Sequence, residues 1–389
     1  MDIEFADRVK RLPPYLFAEI EKLIKEKKAQ GVDLISLSIG DPDLPPPQFV
    51  IDALKEEAAN PKNHNYSFSQ GEPDFRQAVA EWYKKRFHAD LTQDQVVALL
   101  GSKEGIANVA RAFVNPGDKV LVPDPAYPVY ANGSTILCDG LPEAMPLLEK
   151  NGFKPDFDAV KAKKAKMMFL NYPNNPTAAT VDKQFLKEAV DFAADNHIIL
   201  CYDNAYSEIS YDGYRAPSIL EIDGAMDVAI EFHSLSKTFN MTGDRIAFAV
   251  GNKHLVSGLI KVKSQIDSGP PVYIQKVAAK ALATYKSVEP PEFLKKTIQI
   301  YWERRDLLVE TLCDIGFECE KPKATFYVWV NCKGSSVEFA AKLINVGVGV
   351  TPGVGGRRPR IPAMPLSRPA PRRTRRTGRR SRDASRPPR

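Results

Sequence analysis

The sequence predicts an α/β protein: a large unit with a mainly parallel mixed sheet covered by helices, and a smaller α/β unit after it. Three observations point there. Short apolar runs recur along the chain, and each ends in polar or small residues. Helical patterns lie between several of these runs, the alternation expected of a parallel sheet buried on both faces. Beyond residue 285 a long helix, a strand, a helix and a strand follow on a smaller scale.

The elements follow in chain order. Residues 15–30, "YLFAEIEKLIKEKKAQ", space Leu16, Ile20 and Ile24 at helical intervals, with Gly31 as the stop. "DLISLSIG" is a short apolar run ending at Gly40, and "DPDLPPP" after it is too rich in proline for a helix or a central strand. Residues 48–60 and 74–88 read as amphipathic helices, and "QVVALLGSKEGIANVARAF" as strand, turn and helix. "KVLVPDPAY", "KMMFLNYPNNP", "HIILCYDNAY" and "VAIEFHSLSK" are four further buried strands. Residues 294–316 form a long helix, "ATFYVWVNC" a strand, and "EFAAKLINVGVGVTPG" a helix and a strand. There is no internal repeat. The expected divisions are 1–45 (an N-terminal arm and part of the smaller unit), 46–285 (the large unit), 286–355 (the smaller unit) and 356–389.

Composition sets the last segment apart. Residues 356–389 hold 13 Arg, 7 Pro, no Lys and one acid, Asp383. The chain's net +6 therefore divides into +12 there and −6 for the rest, where 32 Lys outnumber 9 Arg. The basic balance thus says nothing about partners of the folded body. The N-terminus lacks the apolar core of a signal peptide, and no apolar run is long enough to span a bilayer. The five cysteines (Cys138, Cys201, Cys313, Cys319 and Cys332) have no metal-type spacing and read as free thiols. A cytoplasmic protein is expected, with no membrane and no metal.

Ligands of such sheets sit beyond the carboxyl ends of the strands. In "EFHSLSKTFNMTGDR" a strand ends in Ser234, Ser236 and Lys237, with Arg245 eight residues on. A buried lysine loses its proton readily and can attack a carbonyl to form a Schiff base. Two hydroxyls and a guanidinium suit a phosphate. In "GSKEGIANVARAF", Ser102 and Lys103 open a helix, whose N-terminus presents free amides to an anion. Asp203 ends an apolar strand, with Tyr206 three residues later, and a carboxylate there needs a cationic partner such as a protonated ring nitrogen. Asn175, held among prolines in "NYPNNPT", adds an amide, and Tyr127 in "PDPAYPVY" adds an aromatic face. Each alone has an ordinary structural reading. Together they make a set suited to pyridoxal 5′-phosphate.

These motifs carry a resemblance. With "RLPPYLFAEI", "LSIGDPDLP", "FVNPGDKVLVPDPAYPVY", "MFLNYPNNPT" and "KPKATFYVW", residues 1–355 resemble the fold-type I pyridoxal phosphate enzymes. Within these the likeness is to the class I/II aminotransferases, and most closely to their LL-diaminopimelate branch. The resemblance implies an aspartate aminotransferase-like fold and a homodimer with shared active sites. It implies that Lys237 holds the cofactor and shuttles the substrate's alpha proton, that Asp203 pairs with the ring nitrogen, and that Tyr206 and Asn175 hold the ring hydroxyl. Tyr127 would stack on the ring, while Ser102, Lys103, Ser234, Ser236 and Arg245 would surround the phosphate. Tyr66 would reach the neighbouring subunit's phosphate. Tyr15, Gly40, Lys103, Tyr127 and Asn175 would contact substrate. The implied reaction moves an amino group from LL-2,6-diaminopimelate to 2-oxoglutarate in lysine biosynthesis. An aminotransferase for alanine, aspartate or aromatic donors, a pyridoxal-dependent lyase and a cofactor-binding relic are the alternatives.

Four departures from the family pattern stand out. Ala178 occupies the glycine of "NPTG", Asp244 precedes the phosphate arginine, and "DSGPPVYIQ" (267–275) lacks the asparagine expected from the partner subunit. The fourth is the ending. Family members run from "TPG" through a glycine turn into a Gly-Tyr-x-Arg strand, whose arginine grips the substrate carboxylate. Here the Arg/Pro-rich segment stands instead, expected to be disordered. An arginine-rich nucleic-acid tail is one reading of it, and a shift of reading frame is the reading preferred. Arg360 to Met364 can be encoded AGG ATA CCT GCG ATG. Read one base later, those codons give Gly-Tyr-Leu-Arg.

Overall fold

The computed structural model describes residues 3–13, 16–38, 40–160, 164–353 and 363–365. Its strands, in chain order, are β1 (Ile35–Ser36), β2 (Val96–Leu99), β3 (Lys119–Asp124), β4 (Leu141–Pro146), β5 (Ala165–Asn171) and β6 (Ile199–Asp203). They continue with β7 (Ala229–Ser234), β8 (Ala247–Gly251), β9 (Tyr327–Trp329), β10 (Val348–Gly349) and β11 (Ala363–Pro365). Seven of them form one sheet in the order β2-β8-β7-β6-β5-β3-β4. β8 runs antiparallel to both of its neighbours, and the other pairings are parallel. The sheet is therefore mixed and mainly parallel.

Alternation along each strand divides the core between the two faces. On β6, Cys201 packs with the helices Ser102–Phe113 and Lys253–Lys263, while Leu200 and Tyr202 pack with the helix Lys183–Asp195. The helices Gln48–Ala59, Pro73–Phe87 and Val272–Leu282 cover the β2–β8 end around Trp82. Lys263, fully buried, joins Glu104 at 3.2 Å and Asp267 at 2.6 Å, which fixes Lys253–Lys263 to the helix that opens at Ser102.

β4 and β8 were not among the expected strands. β4 carries two prolines and lies mostly exposed at the sheet edge, where a missing ladder donor is tolerated. β8 is a short run of small and apolar residues behind Arg245, buried throughout. Elsewhere the boundaries shift slightly: the helix expected over 294–316 spans Glu292–Asp314, and that over 74–88 spans Pro73–Phe87.

The smaller unit is built on the long helix Glu292–Asp314, on β9 and on the helix Ser336–Asn345. β1 pairs in parallel with β10, so the N-terminal run joins this unit. Arg305, fully buried in the long helix, reaches Asp212 and the carbonyl of Pro322, with its guanidinium over the Tyr211 ring. Of the segment expected to be disordered, residues 363–365 form β11, antiparallel to β9. The rest of that segment lies outside the described residues.

Candidate active site

Most of the residues singled out in the sequence lie just beyond the carboxyl ends of β2, β3, β5, β6 and β7, with Arg245 just before β8. β7 ends at Ser234, whose hydroxyl accepts from the Ser236 amide at 3.3 Å and caps the short helix Leu235–Thr238. That turn holds Lys237 just beyond the carboxyl end of β7. Its amine donates to the Gly40 carbonyl at 3.3 Å and lies 5.5 Å from the centre of the Phe326 ring. Burial lowers the Lys237 pKa from 10.5 to about 8; the Arg245 charge adds to this, and Asp41 and Asp203 oppose it. The amine is thereby available as a nucleophile near neutral pH.

Asp203 closes β6, 5% exposed. Burial pushes its pKa up from 3.8 to about 6, against the hydrogen bonds it accepts and the charge of Lys237. One carboxylate oxygen accepts from the Tyr130 hydroxyl at 2.7 Å, and the other from the Ala205 amide at 3.3 Å. Asn171, at the end of β5, donates to the Asp203 carbonyl at 2.8 Å. The hydroxyl of Tyr206, a buried residue, accepts from Asn175 at 3.5 Å and stands 2.8 Å from the Tyr327 hydroxyl. Tyr127 meets Tyr130 edge-on at 5.7 Å.

At the end of β2, Gly101 has φ +85°, and a Cβ there would overlap the Arg245 guanidinium. The positive φ favours glycine here, and the guanidinium lies in the space a side chain would occupy. Arg245 donates to the carbonyls of Leu100 at 3.3 Å and Thr242 at 2.9 Å, which aligns it beside the helix opening with Ser102 and Lys103. Arg245 thus stands beside this helix N-terminus, and its charge also acts on Lys237 in the turn after Ser234. Burial raises the pKa of Asp244, the acid next to Arg245. Ala178 has φ 60°, the left-handed conformation that favours glycine.

Two of the expected residues are not part of this cluster as described. Tyr15 lies outside the described residues. Tyr66 is 93% exposed, on a loop fixed from below by Gln275, which bonds the Ser67 hydroxyl and the Glu72 amide at 2.7 Å each. Gln275 belongs to the segment in which the family's asparagine was missing. Three residues of the cluster went unassigned in the sequence: Tyr130, Phe326 and Tyr327. Tyr130 lies three residues after Tyr127, across a turn closed by the Tyr130 amide on the Tyr127 carbonyl at 3.3 Å, and the prolines of that stretch give it no helical pattern to be read by. Phe326 and Tyr327 come from the smaller unit, and no local pattern links them to Tyr206.

The set fits pyridoxal phosphate: a buried acid pushed toward neutrality by burial, a guanidinium beside a helix N-terminus, and a lysine with a lowered pKa that feels the charges of both Asp203 and Arg245. The family model of aminotransferases of class I and II matches residues 32–363. The chain belongs to this family. Class I and II aminotransferases depend on pyridoxal phosphate, and this enzyme is a transaminase of that kind. The aminotransferase is 51% identical over 357 residues to the LL-diaminopimelate aminotransferase of Desulforudis audaxviator, covering 90% of each chain. It is 50% identical over 359 residues to the protein of the same name from Aquifex aeolicus, covering 90% of this chain and 91% of the other. Among solved structures, it is similar to a Thermus thermophilus aspartate aminotransferase double mutant (TM-score 0.87, 26% identity, 94% and 96% of the two chains). It is also similar to an aminotransferase from Staphylococcus aureus (TM-score 0.84, 31% identity, 93% and 94%). Among the described residues, no helix of the aminotransferase is long and apolar enough to cross a membrane.

Proposed function

We propose that this aminotransferase takes an amino group from LL-2,6-diaminopimelate and passes it to 2-oxoglutarate, a step of lysine biosynthesis in the cytoplasm. The observation that carries the reading is the identity of about half of all positions, over nine tenths of the chain, with relatives named for that substrate. Bound pyridoxal phosphate supplies the carbonyl that exchanges amines and a ring that draws off electrons when its nitrogen is protonated.

The chain's own residues supply the rest. Lys237, with its lowered pKa, attaches the cofactor and afterwards moves the proton at the substrate's alpha carbon. Asp203 keeps the ring nitrogen protonated, and Tyr130 holds its carboxylate in place. Tyr206 and Asn175 hold the ring hydroxyl, and Tyr127 stacks on the ring. Ser102, Lys103, Ser234, Ser236 and Arg245 bind the phosphate. Tyr15, Gly40, Lys103, Tyr127 and Asn175 line the substrate's place. Tyr66, far out on the surface, serves the second subunit of a homodimer with shared sites. The divisions 1–45, 46–285 and 286–355 belong to the same reading, as does 356–389 as the product of a shifted frame.

The test uses the purified holoenzyme with 2-oxoglutarate and, in turn, LL-diaminopimelate, alanine, aspartate and phenylalanine, with glutamate measured. The same series is run on a variant whose ending is restored to the shifted frame. Glutamate from LL-diaminopimelate above the other donors is the expected result. Turnover of another donor, with none of LL-diaminopimelate in either protein, would overturn the reading.

A further inference from the structure

We infer that Tyr327 is a positioning residue: its hydroxyl donates to the Tyr206 oxygen and so turns the Tyr206 proton toward the cofactor ring. The inference rests on the reading of Tyr206 as the residue at the ring hydroxyl.

The two hydroxyls are 2.8 Å apart and both residues are buried, so water does not compete for the bond. Either oxygen could donate, and the surroundings decide. Asn175 approaches Tyr206 with its amide nitrogen, which only donates. If Tyr206 gave its proton to Tyr327, its oxygen would meet the ring oxygen with lone pairs alone. If Tyr327 donates instead, Tyr206 keeps a proton for the ring. The Gly40 backbone closes the other side, since a Cβ at Gly40 would overlap the Tyr327 ring and hydroxyl.

The backbone is built to hold this pair. The segment after Tyr206 is laced to the segment before Tyr327. Thr325 donates to the Ile209 carbonyl at 2.9 Å, the Tyr211 amide to the Lys323 carbonyl at 2.8 Å, and the Tyr211 hydroxyl to the Thr325 carbonyl at 2.6 Å. Ser210 and Ala324 form an antiparallel bridge. Arg305 clamps the far end through Asp212 and the Pro322 carbonyl. A functional side chain locked by its neighbours in this way keeps its geometry.

A donor aimed at a ring oxygen stabilises negative charge there and weakens that oxygen's hold on the proton of the neighbouring lysine nitrogen. The readout is therefore the pH titration of the visible absorbance band of the lysine-bound cofactor in the intact holoenzyme. Tyr206→Phe is expected to raise the apparent pKa by about one to two units, the worth of a hydrogen bond to a charged oxygen. Tyr327→Phe is expected to raise it in the same direction by roughly a third of that, since a chained hydrogen bond strengthens its neighbour by a fraction. The double variant should match Tyr206→Phe alone, because Tyr327 acts through Tyr206. A residue that only fills space would leave the titration of Tyr327→Phe where it was, as phenylalanine fills nearly the same space. An unmoved Tyr327→Phe beside a shifted Tyr206→Phe, or additive shifts in the double variant, would overturn the inference. If Tyr206→Phe itself does not shift the band, the reading of Tyr206 fails first.

Discussion

Arg86 lies at the end of the helix Pro73–Phe87, far from Glu208 in sequence, yet its Nε donates to both Glu208 oxygens at 3.1 Å. Both side chains are sealed from solvent, at 5% and 1% exposure. Glu208 also accepts from the hydroxyls of Ser207 and Tyr285. Burial alone would raise its pKa, but the Arg86 charge and the hydrogen bonds outweigh this and hold it below 4.5. Arg86→Met removes the cation and keeps most of the volume. The carboxylate must then stay charged without its partner or take up a proton. Taking up a proton at pH 7, against an ordinary value of 4.5, costs about 3.4 kcal/mol at 1.36 kcal/mol per unit. The loss on breaking a buried pair, roughly 3–5 kcal/mol, is of the same size.

The pH dependence gives the sharper test. In the unaltered protein the Glu208 contribution is fully present above pH 4.5 and is lost only as the pH falls through its lower folded value. In Arg86→Met the folded state carries the extra proton, so its stability falls as pH rises from about 4.5 to 7. The deficit should therefore shrink by roughly 2–3 kcal/mol between pH 7 and pH 5. Urea unfolding of the apoprotein at the two pH values measures it. Adding Glu208→Gln, which still accepts from Tyr285 and Ser207, should recover most of the loss. A deficit under about 1 kcal/mol at pH 7, or one of equal size at pH 5, refutes the assignment of this pair as the source.

Asp203→Asn should make the apoprotein more stable at pH 8 by roughly 1–3 kcal/mol. The gain should vanish below pH 4, because a folded pKa raised to about 6 costs stability as pH rises from 3.8 through 6; the same variant should lose cofactor affinity, and equilibrium unfolding with absorbance titration reads both. Capture of added pyridoxal phosphate by the apoprotein should accelerate with pH around an apparent pKa near 8, the value to which Lys237 is lowered; a midpoint near 10.5 in stopped-flow absorbance would contradict it. Ala178→Gly should change the unfolding free energy by less than about 1 kcal/mol. Relief of left-handed strain, about 1–2 kcal/mol, is offset by the lost methyl burial and the added chain entropy.

The strands that carry Asp203 and Ser234 were legible because buried parallel strands read as continuous apolar runs, and each stops at a polar residue. Gly101 and Arg245 were legible as residue types, but the reason they belong together, a guanidinium lying where a side chain would be, exists only in three dimensions. The pairings that hold the site from behind left no local trace. Tyr83 meets Glu231 across 148 positions, and Arg86 meets Glu208 across 122. Glu231, buried in β7, carries a pKa raised to about 7 by burial, yet in sequence it is one acid in an apolar run. The proline-bearing edge strand β4 went unseen because its apolar signal is weak.

The ending can be tested against the register of the fold. β11 pairs with β9 so that position 363 stands opposite Trp329 and position 365 opposite Tyr327. Positions two apart share a face, so Trp329 and Tyr327 belong to one face, and position 363 is the cross-strand partner on it. With AGG ATA CCT GCG ATG for residues 360–364 read one base later, the arginine of Gly-Tyr-Leu-Arg would fall at position 363. With those codons, the shifted frame would place an arginine on the strand beside β9, on the face that carries Tyr327 and meets Tyr206 and Gly40. A bidentate grip on a carboxylate is worth roughly 3–6 kcal/mol, or about 10²–10⁴ in kcat/KM. The variant with the restored frame should gain that factor with LL-diaminopimelate, and mutating its new arginine to alanine should remove it. Equal kcat/KM for the two endings would mean that the carboxylate is held elsewhere and that the frame has no bearing on catalysis.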